Sequence, residues 1–329
     1  MNRRDTVLAL PALLAAASGW PARPALAQGR TPRLGILLLA SLPSVAAILD
    51  GFRSNLRELG YVEGRNIALE ILSAEGNVER LPGLASQLVA RKVDIIISGG
   101  GNISAFAARN ATSTIPIIMT GGIGAVEVGL VQSLARPGGN VTGLTVPQEL
   151  GIKQIQVLQE LVPSLSRVAI LVRGDPRMAA VREQAKAFAQ QFLLVTLEFV
   201  EAPSPEGLAR ALEAARAAKP NAMIVAPDPL LYQQREQILR FTRAARIPDM
   251  YSSPDIVDAG GLASYGPTPQ EVYRVVARFV DRLLKGAKAA DLPMEQPTKL
   301  ELVINLRTAK SLGLAIPQSM LVRADRVVE

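Results

Sequence analysis

From residue 33 onward, short apolar runs alternate with longer stretches whose apolar positions recur every three to four residues. The run 34–39 (LGILLL) is continuous and apolar, as in a strand buried on both faces. Over 45–59, Val45, Ile48, Leu49, Phe52, Leu56 and Leu59 keep helical spacing, and Gly60 stops the run. The same reading predicts strands over 67–72, 94–98, 117–120 and 141–145, with helices over 80–90, 104–111 and 126–134. In the second half it predicts helices over 153–161, 177–192, 206–217 and 231–244, and strands over 168–172, 195–200, 222–225 and 249–252. Strands separated by helices pair in parallel through right-handed crossovers.

The two halves resemble each other locally. ARKVDIIISGGG (90–101) parallels AKPNAMIVAPDP (218–229), and STIPIIMTGG (113–122) parallels ARIPDMYSSP (245–254). This predicts an α/β protein of two doubly wound parallel-sheet lobes. After Ser252 the order changes, with a short strand over 262–264, a long helix over 271–284, a proline-bounded stretch, a strand over 300–305 and a helix over 307–312. A return of the late strand and helix to the first lobe, and of the last pair to the second, makes three crossovers. The expected division is 31–146 plus 262–297 for the first lobe and 147–261 plus 298–329 for the second.

Composition narrows the chemistry. Nearly half of the 329 residues are hydrophobic, enough for a large core, and there is no cysteine and no histidine. Disulfides, thiolate nucleophiles, Cys/His zinc sites and imidazole triads are therefore excluded. The net charge is +7, and without residues 1–27 it is 33 basic against 28 acidic, or +5. The arginines are scattered, usually near glutamates, so no nucleic-acid partner is expected. Residues 1–27 combine Arg3 and Arg4, an apolar stretch over 7–17 and Ala25-Leu26-Ala27, the pattern of a signal peptide cleaved before Gln28. The expected location is the periplasm. Arg3-Arg4 followed by Asp5-Thr6 leaves the Sec and twin-arginine routes both open.

The candidate ligand groups sit after strands, where open α/β sheets bind ligands. Five tips stand out. The first is Ala40-Ser41-Leu42-Pro43-Ser44, in which Ser44 is also a candidate helix cap. Gly99, Gly100 and Gly101, followed by Asn102 and Ile103, let backbone N–H groups approach an anion at a helix N-terminus. The Gly-Lys-Ser/Thr ending of a Walker loop is absent, as is a GxGxxG fingerprint. Thr120 and Gly121 open a third tip with the same physics. Arg173-Gly174-Asp175-Pro176 and Pro227-Asp228-Pro229 place a carboxylate after a buried strand; Asp175 also suits a helix cap. Asp228, stiffened by two prolines, is expected to meet a donor or positive group on the ligand. Tyr251 and Tyr265 offer a stacking ring or a hydroxyl at later strand ends. The ligand-binding candidates are thus Ser41, Leu42, Gly100, Gly101, Asn102, Ile103, Thr120, Gly121, Arg173, Asp175, Asp228, Tyr251 and Tyr265. No catalytic residue, metal site or cofactor is assigned.

LRELGYVEGRNIALE (56–70), SLARPGGNVTGL (133–144), APDP (226–229), AGGLASYGP (259–267) and above all LPMEQPTKLELVINLRTAKSLGLAIPQSML (292–321) resemble the ABC transporter substrate-binding protein family, which includes tryptophan- and phenylalanine-binding members. The resemblance runs from Arg33 to the C-terminus. It implies a type I periplasmic-binding fold, two lobes with three crossovers, a small polar organic ligand of amino-acid-like character in the cleft, and delivery by a monomer to an inner-membrane ABC permease with its ATPase. By position, the family's first-lobe Gly-Thr/Ser loop is Gly100-Gly101-Asn102-Ile103-Ser104 here, and its Gly-Asp-Pro is replaced by Gly121-Gly122-Ile123. Its second-lobe Asn-Pro loop is Arg173-Gly174-Asp175-Pro176, while Pro-Asp-Pro at Asp228 and Ser-Tyr-Gly at Ser264-Tyr265-Gly266 are retained. The other readings are an extracytoplasmic enzyme or sensor on the same architecture, and a regulator with a DNA-binding head. The enzyme lacks a recognisable nucleophile–base pair. The regulator's head would need the space before Arg33 that the signal occupies.

Overall fold

The computed structural model describes residues 30–147 and 149–329. The expected signal segment 1–27, with its cleavage before Gln28, lies outside the described residues. Strands β1 (Arg33–Leu38), β2 (Ala68–Ser73), β3 (Ile95–Gly99), β4 (Ile117–Ile123) and β5 (Val141–Val146) form a parallel sheet in the order β2-β1-β3-β4-β5. Strands β6 (Arg167–Val172), β7 (Thr196–Glu201), β8 (Ala222–Val225), β9 (Asp249–Tyr251), β10 (Ala263–Gly266), β11 (Glu301–Asn305) and β12 (Arg326–Val328) form a second, ordered β12-β11-β10-β9-β8-β6-β7. Only the β10–β11 pair within it is antiparallel.

Both sheets are covered on both faces, which is why their central strands read as unbroken apolar runs. In the first lobe, α1 (Leu42–Glu58) and α10 (Pro269–Leu284) pack on one face. On the other lie α2 (Leu81–Ala90) and α3 (Gly101–Ala111). In the second lobe, α4 (Glu149–Leu161) shares one face with α5 (Ala179–Phe188), α11 (Leu306–Leu312) and α12 (Gln318–Arg323). The opposite face carries α6 (Leu208–Ala217), α7 (Pro229–Gln233), α8 (Arg235–Ala245) and α9 (Pro254–Asp258). Fully buried Asp249 ties this layer together. Its carboxylate accepts from Thr242 Oγ1 (2.6 Å), Tyr251 Oη (2.8 Å) and the Leu262 N–H (2.7 Å), joining α8, β9 and the start of β10.

Three differences from the sequence reading have physical causes, two local and one long-range. The apolar spacing over 126–134 does not make a helix. One turn forms, with Leu130 N–H donating to Ala125 O, and Gly129 at φ +73° ends it. The helix expected over 231–244 is two helices, α7 and α8, broken at Gln234. The late strand, expected with 262–297 in the first lobe, is β10 of the second sheet, because it pairs with β9 on one side and β11 on the other. The chain first crosses between β5 and α4, and crosses back only after β10. Helix α10 then packs on the first sheet, Glu295 bridges to Leu144 of β5, and the chain returns to β11. Among the described residues, no helix is long and apolar enough to cross a membrane.

Candidate functional site

The carboxyl ends of the two sheets face a cavity of about 680 Å³. The first lobe builds its wall from backbone and neutral side chains. Helix α3 begins at the glycine loop with no side chain capping it, so its leading N–H groups remain available as donors. Asn102 Nδ2 donates to Ile123 O (2.8 Å), which fixes the amide's orientation and leaves the buried Oδ1 as an acceptor without a partner. Gly122 makes this arrangement possible. Its φ is +134°, and a Cβ there would stand 2.3 Å from Asn102 Oδ1. The β4–β5 register shifts between Thr120 and Ile123, a bulge at this tip. Thr120 Oγ1 is turned back onto Ser98 O at 3.2 Å.

Among the described residues, the five charged side chains lining the cavity, Arg173, Asp175, Arg182, Asp228 and Arg235, come from the second lobe. Parallel pairing of β6 with β8 brings Arg173 beside Asp228, although they are 55 residues apart. Arg173 Nε donates to Asp228 Oδ2 (2.8 Å), and both side chains are nearly buried. The other oxygen, Oδ1, accepts from the Leu230 N–H (2.8 Å) and caps α7. Asp228 is therefore already engaged by two donors within the protein. Among the described residues, Arg173 Nη1 and Nη2 have no hydrogen-bond partner.

Asp175 accepts from the Arg177 backbone (3.0 Å) and guanidinium (2.9 Å). Burial works to raise its pKa, but these bonds outweigh it and hold the carboxyl below its ordinary value. Tyr251 borders the cavity but is fully buried, with its hydroxyl spent on Asp249 and unavailable to a ligand. Burial, and then the Asp249 charge, push that hydroxyl's pKa far up. Tyr232 donates to Asp255, and burial followed by this bond raises its pKa to about 12.

Nine of the thirteen candidates line the cavity: Gly100, Gly101, Asn102, Thr120, Gly121, Arg173, Asp175, Asp228 and Tyr251. Four do not. Ser41 is the N-cap position of α1 and its hydroxyl donates to Ser44 Oγ (3.2 Å); Leu42 is exposed at that helix's start. Ser44 does not cap the helix, because α1 begins before it and its hydroxyl returns to Ser41 O (2.7 Å). Ile103 packs into the core beneath α3. Tyr265 packs in the second lobe, and its carbonyl accepts from Gln154 Nε2 (2.8 Å).

Gln154, Tyr232, Arg235 and Tyr273 line the cavity but escaped the strand-tip rule, because helices supply them. Gln154 carried a usable signal, being a polar residue on the apolar stripe Leu150, Ile155, Leu158 and Leu161. It also donates to Tyr251 O (3.3 Å) and Ser252 Oγ (3.1 Å), locking α4 to two strand ends. The lobes touch beside the cavity. The Arg177 guanidinium lies 3.8 Å from the ring centre of Phe106 on α3, with Arg109 at 4.7 Å from the same ring. Among the described residues, no three His, Cys, Asp or Glu side chains gather into a metal site.

Comparison with known proteins agrees with this architecture. The model of the family described as "ABC transporter substrate binding protein" matches residues 33–328. A tyrosine-binding protein of Clostridioides difficile (strain R20291) is 28% identical over 291 residues, covering 85% of this chain and 81% of that protein. The ABC domain from Streptococcus pneumonia, solved in complex with L-Trp, superposes with a TM-score of 0.82 at 27% identity, over 91% of this chain and all of that one. The leucine-binding protein LivK of Thermotoga maritima shares the fold, with a TM-score of 0.53 at 14% identity over 79% of this chain and 78% of its own. With a match over nearly the whole described chain and two parallel-sheet lobes around a cleft, the protein belongs to the ABC transporter substrate-binding protein family, the extracytoplasmic components of ABC importers, on the type I periplasmic-binding fold.

Proposed function

We propose that the protein captures an amino-acid-like ligand with an apolar side chain in the interlobe cavity and passes it, chemically unchanged, to an ABC permease in the inner membrane with its ATPase. It acts as a monomer in the periplasm, reached through cleavage of the signal segment 1–27. The observation that carries the reading is a pair of complementary polar groups in a mostly apolar cavity. Among the described residues, Asn102 Oδ1 is a buried acceptor without a donor, and the terminal nitrogens of Arg173, oriented by Asp228, are donors without an acceptor. An α-ammonium suits the first and an α-carboxylate the second, since a guanidinium fork matches a carboxylate. The start of α3 and the tips at Gly100, Gly101, Thr120 and Gly121 line the same cavity, as do Tyr251 and Asp175. The tyrosine-binding relative and the L-Trp complex support this ligand class.

Calorimetric titration with L-tyrosine, L-tryptophan and L-phenylalanine, beside their decarboxylated and deaminated analogues, tests it. Each intact amino acid that binds should exceed both of its analogues by tenfold or more, because each analogue leaves one buried group unpaired. Analogues that bind as well as the parent would overturn the assignment.

A further inference from the structure

The cavity does not stop at the strand tips. It reaches into the interior of the second lobe, where its wall includes Ile155, Ile170, Ala189, Leu197, Phe199 and Ile224. All six belong to the apolar layer between the second sheet and the helices α4 and α5. Ile155, Leu197 and Ile224 are no more than 4% exposed, so these are core side chains bordering empty space. Protein interiors are packed as densely as organic crystals and hold few voids larger than a water molecule. An apolar void of this kind stays dry, and its lining loses contacts that a guest would restore.

Helix α5 forms the roof, and its construction keeps the space open. It has no fully buried side chain. Instead it is held at its sides by polar contacts: Arg182 pairs with Glu201 at 2.9 Å, and Lys186 Nζ lies 5.9 Å from the Phe199 ring centre. Val181, Ala185 and Phe188 of this helix line the cavity, and Ala185 is the smallest of the three.

We infer that this space is a tail subsite. It receives the long aliphatic or aryl-aliphatic chain of an amphipathic ligand whose charged head sits at the strand tips. The inference rests on the amino-acid reading of that head, and it sharpens the ligand class from an amino acid of ordinary size to one bearing an extended apolar side chain. The six core side chains carry no hydrogen-bonding demand, and the polar groups that α5 adds to the wall are Arg182, already paired with Glu201, and Gln184, so the apolar part of the subsite selects for length.

The test is a calorimetric series of straight-chain L-amino acids: aminobutanoate, norvaline, norleucine, aminooctanoate and aminodecanoate. Affinity should rise about fourfold per added methylene. Ala185→Leu fills the subsite and should flatten the rise to less than about twofold per methylene. Phe199→Ala enlarges it and should carry the rise to longer members; it also guards against a failure of Ala185→Leu to fold. A second probe, anilinonaphthalenesulfonate, needs no amino-acid head. Its emission should increase with the native protein and fall with Ala185→Leu. Both are measured in a Phe192→Ser background, because the Phe192 ring is exposed and would bind the dye itself. Dye binding that Ala185→Leu abolishes, with no response to any amino acid, supports the subsite and overturns the amino-acid head. A flat affinity series in the native protein, or dye emission that Ala185→Leu leaves unchanged, overturns the subsite.

Discussion

Asp228→Asn separates a bracing carboxylate from a ligand contact. Asp228 offers one oxygen to Arg173 Nε and the other to the Leu230 N–H, both at 2.8 Å. Asparagine has a single acceptor oxygen, so one of these donors loses its partner, and the new NH₂ faces a donor. If the oxygen stays on Leu230, the cap survives and the charge-assisted bond to Arg173 is lost. An exposed ion pair is worth roughly 0–1 kcal/mol and breaking a fully buried one costs about 3–5 kcal/mol. Here the side chains are 11% and 14% exposed. We therefore expect a loss of about 1.5–3 kcal/mol, the range for hydrogen bonds to charged groups. For a chain of this size, with an unfolding entropy of about 0.6 kcal/mol/K, that lowers the melting temperature of the ligand-free protein by roughly 2–5 °C. Because Arg173 is no longer held, ligand affinity should fall about tenfold as well. The assay is a thermal melt without ligand beside a calorimetric titration, completed by Arg173→Met and the double variant to give the coupling energy, expected at about 1–2 kcal/mol. A melting temperature that stays put while affinity collapses would refute the pairing and restore Asp228 as a direct ligand contact. No change in either would refute both.

Other expectations follow from the same geometry. Asn102→Ala removes the free acceptor and strands Ile123 O, and should cut affinity for an intact amino acid at least tenfold while hardly affecting its deaminated analogue; calorimetry on both ligands checks it. Burial raises the folded-state pKa of Asp249 above its ordinary value, against the opposing bonds from Thr242, Leu262 and Tyr251. The folded protein therefore holds this proton more tightly than the unfolded chain, and Asp249's contribution to stability declines as pH rises from the ordinary carboxylate range through the raised value. Denaturant melts across that window should show the decline, and Asp249→Asn should remove it. Arg177→Ala deletes the guanidinium stacked on Phe106 between the lobes, so small-angle scattering of the ligand-free variant should report a larger radius of gyration; an unchanged radius would mean the stack does not hold the lobes together.

What the sequence discloses depends on how local the cause is. Burial of both faces of β1 is written directly into Leu34 to Leu38, and the βα alternation with its crossovers follows from such runs. The absent helix over 126–134 was illegible because Val126, Leu130, Val131 and Leu134 have acceptable helical spacing, and a single glycine at positive φ decides against it. Placement of β10 depends on antiparallel pairing with β11, about forty residues later, which no local pattern carries. The strand-tip rule found Asn102, Arg173 and Asp228 because topology puts strand ends at the cleft. It gave no hint that Arg173 and Asp228 meet, since that requires β6 to lie beside β8. It was equally blind to the void under α5, which arises from how a helix is held off a sheet.

The central claim is reversible capture of an amino-acid-like ligand between the lobes without turnover. Calorimetric titration of the mature protein with L-tyrosine and L-tryptophan, followed by chromatographic recovery of the ligand after prolonged incubation, tests it most directly. The account predicts saturable one-to-one binding of at least one of them, a negative heat-capacity change from apolar burial, and quantitative recovery of the unaltered amino acid. Absence of binding to either, or recovery of a chemically altered product, would contradict it.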